Sequence, residues 1–206
     1  MKIVVLGASG RTGRALIEQA LIRGHLVTAL VRNTGKLAPA NNLTIVRSDI
    51  FNVEELTKVF HGHDAVLSTL GSNNAKLHLI ERSTKALIPA IQQNGIKRFI
   101  AELSFGAATN IRFSHLMSGG MRLVLGGILK DQAAGIRLLK TSQLNWTIVF
   151  PVVLTNGVLT KRVRIASDNE KVGVRYKISR NDVAYFMLEA LEQITYVRQE
   201  PVICSS

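Results

Sequence analysis

The sequence predicts an α/β fold in which helices cover both faces of a mostly parallel, doubly wound sheet. Short runs rich in valine and isoleucine alternate with longer stretches of helical period, which is the pattern of repeated βαβ units. A glycine-rich segment, residues 7–13, separates the first apolar run from the first helical stretch. The chain has 206 residues, 47% of them hydrophobic, so we expect one packed domain, residues 1–206.

The first half of the sequence predicts five strands, at residues 2–6, 25–31, 43–47, 65–69 and 98–103. Helices are predicted between them at 14–23, from an Asn52 cap to residue 60, and at 76–94, where Pro89 favours a kink. Gly24 and Gly95 follow two of these helices, and glycine tolerates the left-handed conformation that ends a helix. The order is strand, helix, strand, without an early hairpin.

The second half is less regular. Six Gly and Ser residues within 114–127 favour a covering segment over 107–127, although an irregular surface helix pair fits equally well. We then expect a helix at 130–142, a strand at 146–150 and a hairpin of 163–166 with 174–178 around Asp168-Asn169. Asn181 or Asp182 is expected to cap a final helix, and 202–204 to add a short edge strand. Substrate-side elements are expected at about 105–130 and 151–180.

The segment Gly7-Ala8-Ser9-Gly10-Arg11-Thr12-Gly13 lies between a predicted strand and a predicted helix, where a dinucleotide fingerprint must lie. Gly7 can make the tight turn, Gly10 lets the backbone approach a pyrophosphate, and Gly13 lets the helix pack closely on the strand. The segment therefore predicts a three-layer Rossmann fold whose helix start holds phosphate oxygens. A glycine-rich turn without a ligand is the alternative. Three residues of the loop can add side-chain donors: Ser9, Arg11 and Thr12.

Arg32 follows the second strand, where domains that prefer NAD place an acidic residue against the adenosine ribose. A guanidinium there can bind a 2′-phosphate through two parallel hydrogen bonds, and Arg11 can approach the same group. The sequence therefore favours NADP(H) as the cofactor. The alternative is that Arg32 is an exposed loop charge.

Two further strand ends point to the same crevice, because ligands of open α/β sheets bind outside the carboxyl ends of the strands. Asp49 and Ile50 follow the third strand, and the Asp49 carboxylate can accept a hydrogen bond from the adenine amino group. The alternative for Asp49 is a turn or helix-capping role. After the fourth strand come Leu70, Gly71 and Ser72, where a glycine lets the backbone lie against the cofactor.

The formal net charge is +12, from 26 Lys and Arg against 14 Asp and Glu, and a field of that sign attracts phosphates. The basic residues are spread along the chain and not interleaved with aromatics in one run, which disfavours nucleic acid as a partner. Apolar segments are too short for a signal peptide or a membrane span, so we expect a cytoplasmic protein. We expect it to be a monomer or a weak dimer. A single cysteine, Cys204, excludes an intramolecular disulfide, and we expect no metal site.

The chain resembles the atypical short-chain dehydrogenase/reductase superfamily, in particular the group of biliverdin IXβ reductase/flavin reductase and NmrA-like proteins. The segments that match are residues 7–13, 30–32, 48–50 and 145–151. The resemblance implies hydride transfer from NADPH to a flavin or quinone-like planar acceptor, with Ser104 near the nicotinamide and the segment after Pro151 lining the acceptor pocket. Val152-Val153 lacks the histidine of biliverdin IXβ reductase, which argues against bilin reduction.

In most short-chain dehydrogenases a tyrosine delivers the proton and is activated by a lysine four residues later. This pair is missing here, since none of Tyr176, Tyr185 and Tyr196 has a lysine at that spacing. Lys130 or His115 can substitute as an acid, but a surface role is expected for each. Three hypotheses remain open. The first, which we favour, is an NADPH-dependent reductase, and the second is an NmrA-like sensor that binds the cofactor without turnover. An RNA-associated relative is a third hypothesis, which rests only on the net charge.

Overall fold

An eight-stranded sheet forms the centre of the computed structural model, which describes residues 1–71, 78–108, 120–167, 170, 172 and 175–206, with only the backbone at 120–125. Its strands, in chain order, are β1 (Lys2–Leu6), β2 (Leu26–Val31), β3 (Leu43–Arg47), β4 (Ala65–Ser68), β5 (Arg98–Glu102), β6 (Asn145–Pro151), β8 (Val163–Ile165) and β10 (Val202–Ser205). A second, two-stranded parallel sheet pairs β7 (Val153–Thr155) with β9 (Lys177–Ser179).

Six strands run parallel in the order β3-β2-β1-β4-β5-β6, which is the doubly wound Rossmann arrangement. On the far side of β6 the sheet continues with β10, which is parallel to β6, and ends with β8, which is antiparallel to β10. The strand order reverses between β1 and β4, so the carboxyl ends of these two strands flank the crevice where ligands of this fold bind. The predicted fold class is confirmed.

Helices cover both faces of the sheet. On one face, α1 (Arg11–Ile22) packs against α5 (Arg180–Glu192). On the other face, α3 (Leu79–Gln93) packs between α2 (Val53–Phe60) and α4 (Gly120–Thr141). Residues 3–6 of β1 are wholly buried, and a strand needs helices on both sides to bury every successive side chain. No helix in the described part of the chain has the length and apolar character needed to cross a membrane.

The strands of the first half begin and end within one residue of their predicted positions, and the Asn52 side chain caps α2 by accepting from the Glu55 amide at 3.1 Å. Three helix starts differ from the prediction: α1 begins at Arg11, α3 at Leu79, and α4 at Gly120, ten residues before the predicted start. The last part of the predicted covering segment is therefore regular helix. Its residues 109–119 lie outside the described part of the chain.

Three predictions for the second half are wrong. Residues 163–166 and 174–178 do not form a hairpin, because β8 pairs with β10 whereas β9 pairs with β7; Asp168 and Asn169 lie outside the described residues. The strand at 202–205 is internal, between β6 and β8, and not an edge. Ser179 caps α5 by accepting from the Asp182 amide at 2.9 Å. The Asp182 carboxylate instead accepts hydrogen bonds from Thr160 and from the Lys161 amide.

Arg98, at the start of β5, ties the sheet to the end of α5. Its side chain is buried, and its Nη atoms donate to four oxygens, at distances between 2.6 and 3.4 Å. The acceptors are Asn145 O, Thr147 Oγ1, Ala190 O and Thr195 O. Burial lowers the pKa of Arg98 to about 10, which leaves it charged at neutral pH.

We expect Arg98→Met to lower the free energy of unfolding by about 2–4 kcal/mol, because four acceptors in the interior then lose a charged donor. Urea denaturation measures the loss. The matched control is Arg137→Met on the exposed side of α4, which should change stability by less than about 0.5 kcal/mol. Equal stability of the two variants would show that the buried guanidinium contributes nothing net.

Candidate functional site

The loop between β1 and α1 is closed tightly by two glycines. Gly7 has a positive φ of 72°, and a Cβ there would lie 2.5 Å from the carbonyl oxygen of Thr69. A Cβ on Gly13 would overlap the carbonyl oxygen of Gly7. Both positions therefore require glycine for packing, as the sequence predicts for the turn and for the close helix.

Gly10 differs from the other two glycines, because its Cα faces outward. It is exposed, its backbone is extended (φ −72°, ψ 168°), and the sole described atom within 4 Å of a Cβ there would be Gly7 O, at 3.0 Å. The first described hydrogen bond of α1 runs from the Arg14 amide to Gly10 O, at 2.9 Å. The amides of residues 11–13 precede that bond and have no acceptor within the helix, and the first turn carries no acidic side chain. The loop therefore fits a diphosphate.

The three polar side chains of the loop point in different directions. Arg11 is exposed at the helix start, and Ser9 is partly buried. Thr12 is buried, and its hydroxyl donates to Glu102 Oε1 at 3.3 Å. The Thr12 side chain thus lies beneath the loop, where it is engaged with the sheet, so only its amide remains for a phosphate.

The other predicted residues lie at the carboxyl ends of the strands. Arg32 directly follows β2, is exposed, and has no hydrogen bond or ion pair with the described residues. Asp49 is also exposed, but its Oδ1 accepts from the Phe51 amide at 3.0 Å, so it stabilises a turn. Ile50 and Leu70 are partly buried and pack against the core.

Gly71 is exposed, and no atom of the described residues lies within 4 Å of where a Cβ would be. Ser72 lies outside the described residues. The ends of β1 and β4 are joined by Thr69, whose hydroxyl donates to Leu6 O at 3.1 Å. These contacts hold the glycine loop and the backbone of residues 69–71 at the two sides of the crevice.

Ser104 lies two residues beyond β5 and is held by a residue that the sequence does not reveal. Gln132 of α4 is buried; its Oε1 accepts from the Ser104 amide and its Nε2 donates to the Ser104 hydroxyl oxygen, both at 3.0 Å. Because Ser104 is exposed and its oxygen is the acceptor of that bond, its own O–H is directed away from Gln132. The arrangement leaves one hydroxyl proton for a ligand at this strand end.

Glu102 is the second residue that sequence reasoning missed. It ends β5 on the face of α1, where it accepts from Thr12, and is partly buried. Burial raises the pKa of Glu102 to about 7, against the opposing effects of the Thr12 bond and the positive charge of Arg180. A carboxyl group that titrates near neutral pH therefore lies directly beneath the glycine loop.

Asp131, next to Gln132, joins α4 to the start of α3 by accepting from the Ile80 and Glu81 amides at 3.0 and 2.9 Å. Its carboxylate also lies near His78 and Glu81, with one ligand atom from each within 4.8 Å of the others. Lys85 pairs with Glu81 at 2.7 Å. The two carboxylates of this group therefore have hydrogen-bond and ion-pair partners within the protein. Of the two substitute acids, Lys130 is exposed and His115 lies outside the described residues.

Comparison with known proteins agrees with this geometry. A family model described as NAD(P)H-binding matches residues 7–194. The chain belongs to this NAD(P)H-binding family.

Some relatives of this NAD(P)H-binding protein match it along most of their length, whereas the photosystem II assembly factor Ycf39 of Synechocystis matches over 32% of its own. The UPF0659 protein YMR090W of Saccharomyces cerevisiae is 28% identical over 206 residues, covering 93% of this chain and 87% of that protein. The oxidoreductase ylbE of Lactococcus lactis has the same fold, with a TM-score of 0.87 and 22% identity over 100% of this chain and 91% of its own. A candidate NADH-flavin reductase of Streptococcus pneumoniae TIGR4 has a TM-score of 0.80 and 25% identity, with 100% of both chains covered.

Substitutions at two glycines of this NAD(P)H-binding protein can separate an effect on packing from an effect on ligand binding. We expect Gly10→Ala to keep the free energy of unfolding within about 1 kcal/mol and to weaken dinucleotide binding at least about tenfold, because its methyl group enters the space for the diphosphate. Gly13→Ala, the control, should lose about 2 kcal/mol or more, since its methyl group meets the Gly7 carbonyl. Thermal melts and calorimetric titration measure the two effects. A Gly10→Ala variant with normal affinity would contradict the assignment of the loop.

The Glu102 carboxyl predicts a pH dependence of stability in this NAD(P)H-binding protein. Its pKa in the folded chain, about 7, lies above the ordinary 4.5, so the stability it contributes is complete below pH 4.5 and is lost as the pH rises through 7. Between pH 5 and pH 8 the wild type should lose about 2–3 kcal/mol more than Glu102→Gln, which stays neutral. Denaturant unfolding at both pH values measures this, with Glu18→Gln, exposed on α1, as the control that should follow the wild type. An equal change of stability between pH 5 and pH 8 in the wild type and in Glu102→Gln would contradict this prediction.

Proposed function

We propose that this protein is an NADPH-dependent reductase that passes hydride to a flavin or a quinone-like planar acceptor. The observation that carries the proposal is the juxtaposition, at one edge of the sheet, of an open glycine loop, the exposed Arg32 and the hydroxyl of Ser104. Each group would bind a different part of a nicotinamide dinucleotide. NADPH, when bound, supplies the hydride.

Arg32 supports the choice of NADP over NAD. A carboxylate at this strand end would accept hydrogen bonds from ribose hydroxyls, whereas a guanidinium attracts a 2′-phosphate. Arg32 and Arg11 are both exposed and have no ion-pair partner among the described residues, so neither needs to break a salt bridge before it binds. The net charge of +12 adds a long-range attraction for the polyphosphate.

The fixed hydroxyl of Ser104 supports an acceptor site beyond the end of β5. Its oxygen and its amide are both fixed by Gln132, so the hydroxyl proton is held in one region beyond the end of β5 and can donate to a heteroatom of the ring that receives hydride. Hydride transfer between planar rings requires few protein acids, which agrees with a chain that lacks the tyrosine-lysine pair. The candidate NADH-flavin reductase of similar fold and full coverage supports the same reaction class.

A cofactor-binding sensor without turnover is the second candidate function. It is favoured by the three tyrosines, none of which has a lysine four residues later. Tyr185 lies beside Arg23 between α1 and α5, and Tyr196 packs on Phe186, so both have structural contacts.

Oxidation of NADPH with FMN, riboflavin and small quinones tests the proposal. We expect turnover with at least one acceptor, and Arg32→Ala to lower kcat/KM for NADPH about 10- to 100-fold while that for NADH stays nearly constant, since one charge-assisted contact contributes about 1.5–3 kcal/mol. Arg137→Ala, which removes one exposed positive charge from α4, is the control and should leave both values unchanged. Tight NADPH binding without turnover would favour the sensor. A protein that binds neither dinucleotide would overturn both functions.

A further inference from the structure

Arg14 lies in the first turn of α1, but its side chain reaches out of the helix to two separate loops. Nε donates to Ser9 O, in the glycine loop, at 3.2 Å. Nη2 donates to Lys36 O, in the loop after β2, at 2.6 Å. One guanidinium therefore bridges the diphosphate loop and the segment that follows Arg32.

The segment after Arg32 is small and exposed. Asn33 Oδ1 accepts from the Gly35 amide at 3.0 Å, and residues 34–36 form a single 3-10 turn. Residues 32–36 are all exposed, so within the turn itself burial contributes little, and Leu37, directly after it, is the nearest residue that packs against the core on this side. The bond from Arg14 to Lys36 O is charge-assisted and short, and it joins the turn to the rigid start of α1.

We infer that Arg14 is a positioning residue that holds the Arg32 turn against the glycine loop and thereby determines selectivity for a dinucleotide with a phosphate on the adenosine. The inference rests on the proposed use of NADPH. A 2′-phosphate is recognised only when Arg32 lies at a fixed distance from the loop that holds the diphosphate of the same molecule. NADH, which makes no contact with the turn through a 2′-phosphate, does not depend on that distance.

The geometry of the bridge requires an arginine at position 14 and is not met by a lysine. A guanidinium presents several donors in a rigid plane and can bond two carbonyls at once, whereas a lysine ammonium has one position at the end of a flexible chain. Arg14→Lys keeps the positive charge but loses the bridge. Arg14→Gln loses both. A role through charge alone predicts that only Arg14→Gln is impaired.

The test is the affinity of the intact protein for NADPH and NADH, by calorimetric titration, in the wild type, Arg14→Lys, Arg14→Gln, Arg32→Ala and the double variant Arg14→Gln/Arg32→Ala. We expect both Arg14 variants to weaken NADPH binding about 5- to 20-fold, less than the loss of Arg32 itself because they displace the phosphate contact without removing it, and NADH binding less than about 2-fold. In the Arg32→Ala background, Arg14→Gln should cause little further loss, because a residue that acts through Arg32 has no effect once Arg32 is gone. Arg137→Gln is the charge-matched control, and thermal melts check that each variant is folded.

Two results would overturn the inference while the proposed cofactor stands. If Arg14→Lys kept the wild-type selectivity for NADPH over NADH, the charge of Arg14 alone would account for its effect. A full, independent loss from Arg14→Gln on top of Arg32→Ala would make Arg14 a direct phosphate ligand and not a positioning residue. Failure of the proposed function is visible in the wild type itself, as absent binding or equal affinity for the two dinucleotides, and it removes the inference with it.

Discussion

The close approach of Gly13 to the Gly7 carbonyl is the contact on which the crevice depends. It lets α1 begin at Arg11, immediately after the turn, so that the amides of the helix start lie beside the carboxyl ends of β1 and β4. A helix that began one turn later, as the apolar periodicity alone suggests, would direct those amides away from the switch point of the sheet. The absence of a side chain at Gly7 and at Gly13 thus fixes where the amides of the helix start lie.

Beneath this contact the protein places polar groups that only the fold brings together. Thr12 and Glu102 are 90 residues apart, and Ser104 and Gln132 are 28 apart. Each pair joins a helix to the end of β5 from a different face, since α1 and α4 lie on opposite sides of the sheet. The two pairs hold one strand end from both sides, which gives the site a rigid base.

The sequence predicted those features of the fold that depend on local patterns of residues. The five strands of the first half, the glycine loop and the Asn52 cap depend on residues adjacent in the chain, and all are found within a residue or two. The hairpin prediction failed because β8 and β9 have partners elsewhere, β10 and β7, that no local pattern identifies. The α5 cap prediction failed because Asp182 is buried and bonds to residues 160 and 161, which leaves the capping position to Ser179. Gln132 and Glu102 were missed because their partners are distant in sequence.

The place of β10 within the sheet affects how the chain can fold. Residues 198–203 bond to one edge of β6, and among the described strands β8 pairs with β10 alone. Both β6 and β8 are therefore made before the partner at this side of the sheet. During synthesis on the ribosome, this edge of β6 therefore stays without its partner while residues 152–197 are added. Such an open edge can pair with other chains, so this side of the sheet is where misassembly of a nascent chain would begin.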